Sequence, residues 1–98
     1  MFIKIIKSYR DTVAVCDSSI LGKRFEQGNF QLDLKESFYK GEEVSEEKAI
    51  EIMKTMSAED ATFNIAGQES VDAALKAGVI SQESIRKIQG IPFAMVLL

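Results

Sequence analysis

Apolar and polar positions alternate most regularly between Phe30 and Lys35, where Phe30, Leu32 and Leu34 are separated by Gln31, Asp33 and Lys35. A two-residue period sends the two sets to opposite faces of a strand, so this segment is expected to lay its apolar side on a core. Two shorter runs rich in β-branched residues precede it, Phe2 to Lys7 with Ile3, Ile5 and Ile6, and Thr12 to Cys16 with Val13 and Val15. The polar Ser8-Tyr9-Arg10-Asp11 between them is short enough to predict an antiparallel hairpin. Gly28-Asn29 is a turn signal. Beyond Gly41 the period changes. Ala49, Met53 and Met56 recur at helical spacing behind Ser45, whose hydroxyl can accept an open amide of a first turn. Ala61 to Ile65 reads as a short strand, and Val71, Ala74 and Leu75 as one face of a second helix that Gly78 ends. Ile80 and Ile85 flank Ser81 at the spacing of a hydrophobic staple, which predicts a third short helix stopped by Gly90. Ile91 to Leu98 is an almost unbroken apolar run with Pro92 near its start, the pattern of a strand buried on both faces. The order β-β-β-α-β-α-α-β predicts one α+β domain over residues 1–98: a two-layer sandwich, with a mixed sheet and helices on one face.

Composition narrows the chemistry more than it narrows the fold. The 98 residues include no histidine and one cysteine, so no Ser-His-Asp or Cys-His arrangement, intrachain disulfide or multi-cysteine zinc site can be assembled from one chain. No haem, iron-sulphur or zinc cofactor is expected. Cations at Lys4, Lys7 and Arg10 interrupt the first ten residues, and no apolar run reaches the length of a membrane span. With the lone Cys16, this leads to the expectation of a protein of the reducing cytoplasm without a membrane partner. The net charge of -3 is unevenly spread: residues 1–25 carry five cations against two acids, residues 26–70 four cations against eleven acids. An isoelectric point near 4.9 argues against a double-stranded nucleic acid, whose phosphates demand many converging cations.

Two loop segments carry the candidate chemistry. Asp17 ends the second strand and can cap its own turn or accept a ligand hydroxyl. The Leu21-Gly22-Lys23-Arg24 run that follows can let a backbone approach an anion at Gly22 while Lys23 and Arg24 supply charge, although it lacks the length and the hydroxyl of a Walker A loop. Asn64 and Gly67 sit at the next strand-to-helix connection, where amides at a helix start attract anions. The expectation is that residues 15–24 and 64–68 converge into the one specific site, with binding residues Asp17, Gly22, Lys23, Arg24, Asn64 and Gly67. Cys16 reads as a buried apolar side chain, since no base is present and an adjacent carboxylate raises a thiol pKa. Tyr9, Phe38 and Tyr39 lie among Lys7, Arg10 and Lys40 and can stack unpaired bases, while Phe38 also continues the core face of the preceding strand. The acids Glu42, Glu43, Glu46 and Glu47 read as a solvated helix start, or as a surface for a basic partner.

The chain resembles an archaeal family known as domain of unknown function 424. The resemblance rests on Val15-Cys16-Asp17, Leu21-Gly22-Lys23, Phe38-Tyr39-x-Gly41, Asn64-Ile65-x-Gly67 and Ile88-x-Gly90-Ile91-Pro92-x-Ala94, in that order from about residue 2 to residue 96. It implies archaeal origin and cytoplasmic residence and brings no activity. The family's last block usually reads Gly-Val-Pro-His-Ala; Phe93 stands here in the histidine position, so a basic or metal-binding role there does not carry over. Beside a purely structural subunit role, two functional readings remain open. One is a small binding or adaptor protein with a protein or RNA partner, associated with translation. The other is an anionic-ligand-binding protein or enzyme with its site around Asp17, Lys23 and Asn64. The apolar last strand further suggests a homo-oligomer formed through it.

Overall fold

In the computed structural model, which describes residues 1–97, the β-branched runs form strands as their composition demands. β1 (Phe2–Ile6) and β2 (Thr12–Cys16) make the expected hairpin, pairing Ile3 with Val15 and Ile5 with Val13. A second hairpin, β3 (Arg24–Gln27) and β4 (Phe30–Asp33), turns at Gly28-Asn29 and stays outside the main sheet. The single turn α1 (Glu36–Tyr39) and the two-residue β5 (Glu42–Glu43) lead to α2 (Glu46–Ala58). Ser45 caps α2 as its position suggests, its hydroxyl accepting from the Lys48 amide at 3.2 Å. Then follow β6 (Thr62–Ala66), α3 (Gln68–Ala77), β7 (Arg86–Ile88) and β8 (Ile91–Val96).

The main sheet runs β5-β1-β2-β6-β8-β7, and β2 with β6 is its parallel pair. The long excursion from residue 17 to residue 61 lets β6 return beside β2 in the same direction. The chain is thus a mixed-sheet α+β protein, with α2 and α3 together on one face. That front face is closed: Ile3, Val13, Val15, Phe63 and Ile65 meet Ala49, Met53 and Met56 of α2 and Val71, Ala73 and Ala74 of α3 in one buried cluster. Gly41 is required where the chain passes β1, because a Cβ there would stand 2.2 Å from the Ile3 carbonyl oxygen. Among the described residues no helix is long and apolar enough to cross a membrane.

Three local expectations are corrected. The alternating Phe30 to Leu34 segment is a strand of the separate hairpin, and its apolar side is only partly covered: Leu34 is fully buried, whereas Phe30 is 74% exposed at the tip. Alternation identifies which side chains share a face, not whether anything covers it. The third helix is a single 3-10 turn, Gln82–Ser84, and the Ser81 side chain caps nothing. Arg86–Ile88 are drawn into the ladder with β8, so the helix has no room to grow; Ile80 and Ile85 pack against the front core all the same. Finally, β8 is paired on both edges, yet Met95 is 52% exposed, so the last strand is not buried on both faces. The expected end of that strand at Leu98 lies outside the described residues.

Candidate functional site

Because β2 and β6 are parallel and adjacent, their carboxyl ends bring residues 15–17 and 64–67 together, and the Asp17 amide donates to the Ala66 carbonyl at 3.1 Å. What Asp17 does there is specific. Its buried carboxylate accepts from the Ser70 amide at 2.8 Å, the Ser70 hydroxyl at 2.7 Å and the Glu69 amide at 3.1 Å. It caps α3 from a distance of more than fifty residues in the chain, taking the place at the helix's positive end that an anion could occupy. Gly67 makes that approach feasible. Its φ is +105°, and a Cβ would stand 2.2 Å from the Asp17 carboxyl carbon.

The other expected binding residues do not gather on this carboxylate. Gly22, at φ +84°, donates to the Leu34 carbonyl at 2.8 Å and closes the base of the second hairpin. Lys23 is exposed beside it. Arg24 lies on the hairpin's outer face, where its guanidinium donates to Glu26 at 2.8 Å and Gln31 at 2.7 Å. Asn64 stands opposite Ala14 in the ladder and lines a space with Tyr39 and Phe93. Cys16 is fully buried, and burial, reinforced by the Asp17 charge, pushes its thiol up to about 12. It is protonated at neutral pH and is no nucleophile. Of the aromatics, Tyr9 is fully exposed at the first hairpin turn, while Phe38 and Tyr39 belong to the core behind the sheet, so they share no surface. In the acidic run, Glu46 pairs with Lys76 at 2.9 Å and Glu43 accepts from Ser18 at 2.7 Å. Among the described residues no group of three or more acidic or cysteine side chains is placed to hold a metal ion.

One concavity, of about 430 Å³ and polar, lies at the first hairpin turn among Ser8 to Asp11, Glu59 and Asp60; further ones lie on the back face. Ala14, Cys16 and Ala66 are sealed there by Leu34 and Tyr39, but toward β8 the cover thins. The second hairpin is anchored at its base by the buried Leu34. At its tip, Gln89 in the β7–β8 turn donates its amide to the Gln27 side chain at 2.9 Å and its side chain to the Glu26 carbonyl at 2.7 Å. Held at both ends, the hairpin arches over β7 and β8. Two cavities of about 360 and 210 Å³ lie between it and the sheet, a third of about 270 Å³ lies beside it along β7 and β8, and Phe93 lines all three. Phe30, Arg86 and Lys87 share the first, Gln31, Asp33 and Asn64 the second, Arg86 and Met95 the third. Their combined character is an apolar floor with two cations and several amides at the rim, the composition of a binding groove. Of these residues the sequence offered Asn64 as a binding residue and marked Phe93 only as standing where the family usually has a histidine.

A family model described as "Protein of unknown function (DUF424)" matches residues 7–98. No curated protein matches the chain. A solved structure described as an uncharacterized conserved protein from Methanopyrus kandleri is similar over 97% of this chain and 88% of its own, with a TM-score of 0.87 and 20% identity. That likeness shows that the fold is shared.

Proposed function

We propose that this chain, which belongs to the DUF424 family, is a binding or adaptor protein that holds a segment of a partner protein in the groove around Phe93. One observation carries the reading: Phe30, 74% exposed, and Phe93 border one cavity of about 360 Å³ together with Arg86 and Lys87. Apolar surface kept open in so small a domain marks recognition, and the two cations favour an acidic, apolar partner. The protonated, buried Cys16 suits residence in a reducing cytoplasm. Lys23, with Gly22 beside it, stays available to an anion at the hairpin base, but the internal cap made by Asp17 leaves α3 satisfied, which weighs against a small anionic ligand or an enzymatic site there. Self-association is the same chemistry with a second copy as partner; since β8 is paired on both edges, it would use Met95 and Leu97 side chains rather than the strand's ladder.

A second reading, an RNA partner linked to translation, draws on the same Phe30 with Arg86 and Lys87, because an exposed ring beside cations can stack a base. The net charge of -3 ranks it second. Photocrosslinking separates the readings. With p-benzoylphenylalanine in place of Phe30, an extract of the source cells should give a protein adduct that Phe93→Ala abolishes. Adducts to RNA alone would favour the second reading. Adducts only when the photoprobe replaces Lys23 would return the site to the loop after Asp17.

A further inference from the structure

Resting on that reading, we propose that the partner segment enters the groove in extended form and adds as a β-strand to the open edge of β4. The hydrogen-bond pattern of the hairpin supports this. Along an antiparallel pair, residues alternate between facing their partner strand and facing away from it. The Leu34 amide donates to the Lys23 carbonyl at 3.0 Å, which makes that pair inward; two positions on, Phe25 and Leu32 also face one another. Arg24 with Asp33 and Glu26 with Gln31 therefore turn their amides and carbonyls outward, one residue of each pair on either edge. On the β3 edge the outward Glu26 carbonyl receives the Gln89 side chain, as this register requires. On the β4 edge, the amides and carbonyls of Gln31 and Asp33 have no backbone partner among the described residues. Of the four outward groups on the β3 edge one, the Glu26 carbonyl, is taken by Gln89, whereas none of the four on the β4 edge has a backbone partner among the described residues.

The open edge is not bare. Gln31, Leu32 and Asp33 line the cavity of about 210 Å³ whose other walls include Asn64, Phe93 and Met95. A strand laid along β4 satisfies those four polar groups and drops every second side chain toward Phe93 and Met95, while the intervening side chains remain in solvent. Arg86 and Lys87, which form no ion pair among the described residues, stand on the far side of Phe93 and meet an acidic residue at one end of the segment. The occupant is an extended segment of another protein, apolar at alternate positions and acidic at one end. Recognition runs chiefly through the backbone, so the identity of the outward residues has little influence.

The test uses the full chain and a fluorescein-labelled heptapeptide that alternates valine with threonine and carries a terminal glutamate. Two further versions are N-methylated on one alternate set of amides or on the other. Strand addition predicts saturable one-to-one binding, weakened about tenfold by methylation of one set and hardly changed by the other, because only alternate amides meet β4. The double variant Arg86→Glu, Lys87→Glu should weaken the peptide and be rescued by exchanging its glutamate for lysine. If both methylated peptides bind like the parent, strand addition is wrong and the groove reading stands. If the parent peptide shows no saturable binding, both fall. Displacement of the peptide by an unpaired RNA pool, or by self-association seen in sedimentation, overturns the proposal in favour of that occupant.

Discussion

The front and back faces of the sheet use the same strands to different ends. In front, α2 and α3 press two apolar stripes onto Ile3, Val13, Val15, Phe63 and Ile65, and every one of these is buried. Behind, a hairpin of two four-residue strands covers Ala14, Cys16 and Ala66 but leaves Phe93 half-buried and Met95 exposed. A helix presents side chains over a broad stripe, whereas a short hairpin touches with one face and is here propped at its tip by Gln89. A small domain can therefore place its stability on one side and an accessible apolar surface on the other.

The contrast breaks first at matched phenylalanines. Phe63→Ala should cost about 3–5 kcal/mol in urea denaturation, as a fully buried ring leaves a cavity. Phe93→Ala should cost less, about 2 kcal/mol, because part of its ring reaches solvent; equal losses would show both faces to be core. Next comes Asp17→Ala, which strips two amides and a hydroxyl of their charged acceptor and should cost about 3 kcal/mol. Gly67→Ala should be comparably damaging, since its Cβ collides with that carboxylate. Both should leave peptide affinity unchanged wherever the variant is folded.

Alkaline pH probes the sealed part of the back face. Burial pushes the Cys16 thiol and the Tyr39 phenol each up to about 12, from ordinary values of 9.0 and 10.0. In both, folding favours the protonated form. Their contribution is fully present below the unfolded values and is lost as pH climbs through about 9 toward 12. Denaturation midpoints should accordingly be flat around neutrality and fall steadily above pH 9, with a shallower fall in Cys16→Ala. A stability independent of pH across that range would mean the back core is wet. The smallest stability effect belongs to Phe30→Ser, within about 0.5 kcal/mol, because the ring is exposed. Its peptide affinity should nevertheless drop about tenfold, the burial of one ring against the partner.

Residues whose environment is set by near neighbours were the legible ones. Ala49, Met53 and Met56 sit at helical spacing behind a capping serine, and they are the buried residues of α2. The first hairpin follows from a four-residue turn between β-branched runs. The sequence also brought Asp17 and Gly67 into one neighbourhood, through two strand ends, but not the use made of it: the acceptor and its donors lie 52 and 53 residues apart, and no local pattern marks such a pair. The groove was hidden for the same reason. It exists because Gln89 ties down the hairpin tip across 62 residues, and because β3, with Arg24 and Glu26 around Phe25, shows too little apolar alternation to announce itself as a strand. Phe93 reads locally as one more apolar residue of the last strand; only the arch above it leaves it open.

Amide NMR of the labelled chain, titrated with the valine–threonine heptapeptide, tests the division of the two faces most directly. Saturable shifts should concentrate at Gln31 to Asp33, Arg86 to Lys87 and Phe93 to Met95, with amide protons of Gln31 and Asp33 gaining protection from exchange and α2 and α3 unmoved. Shifts centred instead on Asp17 to Arg24 and Asn64 to Gly67, with the hairpin edge silent, would contradict the assignment of recognition to the back of the sheet.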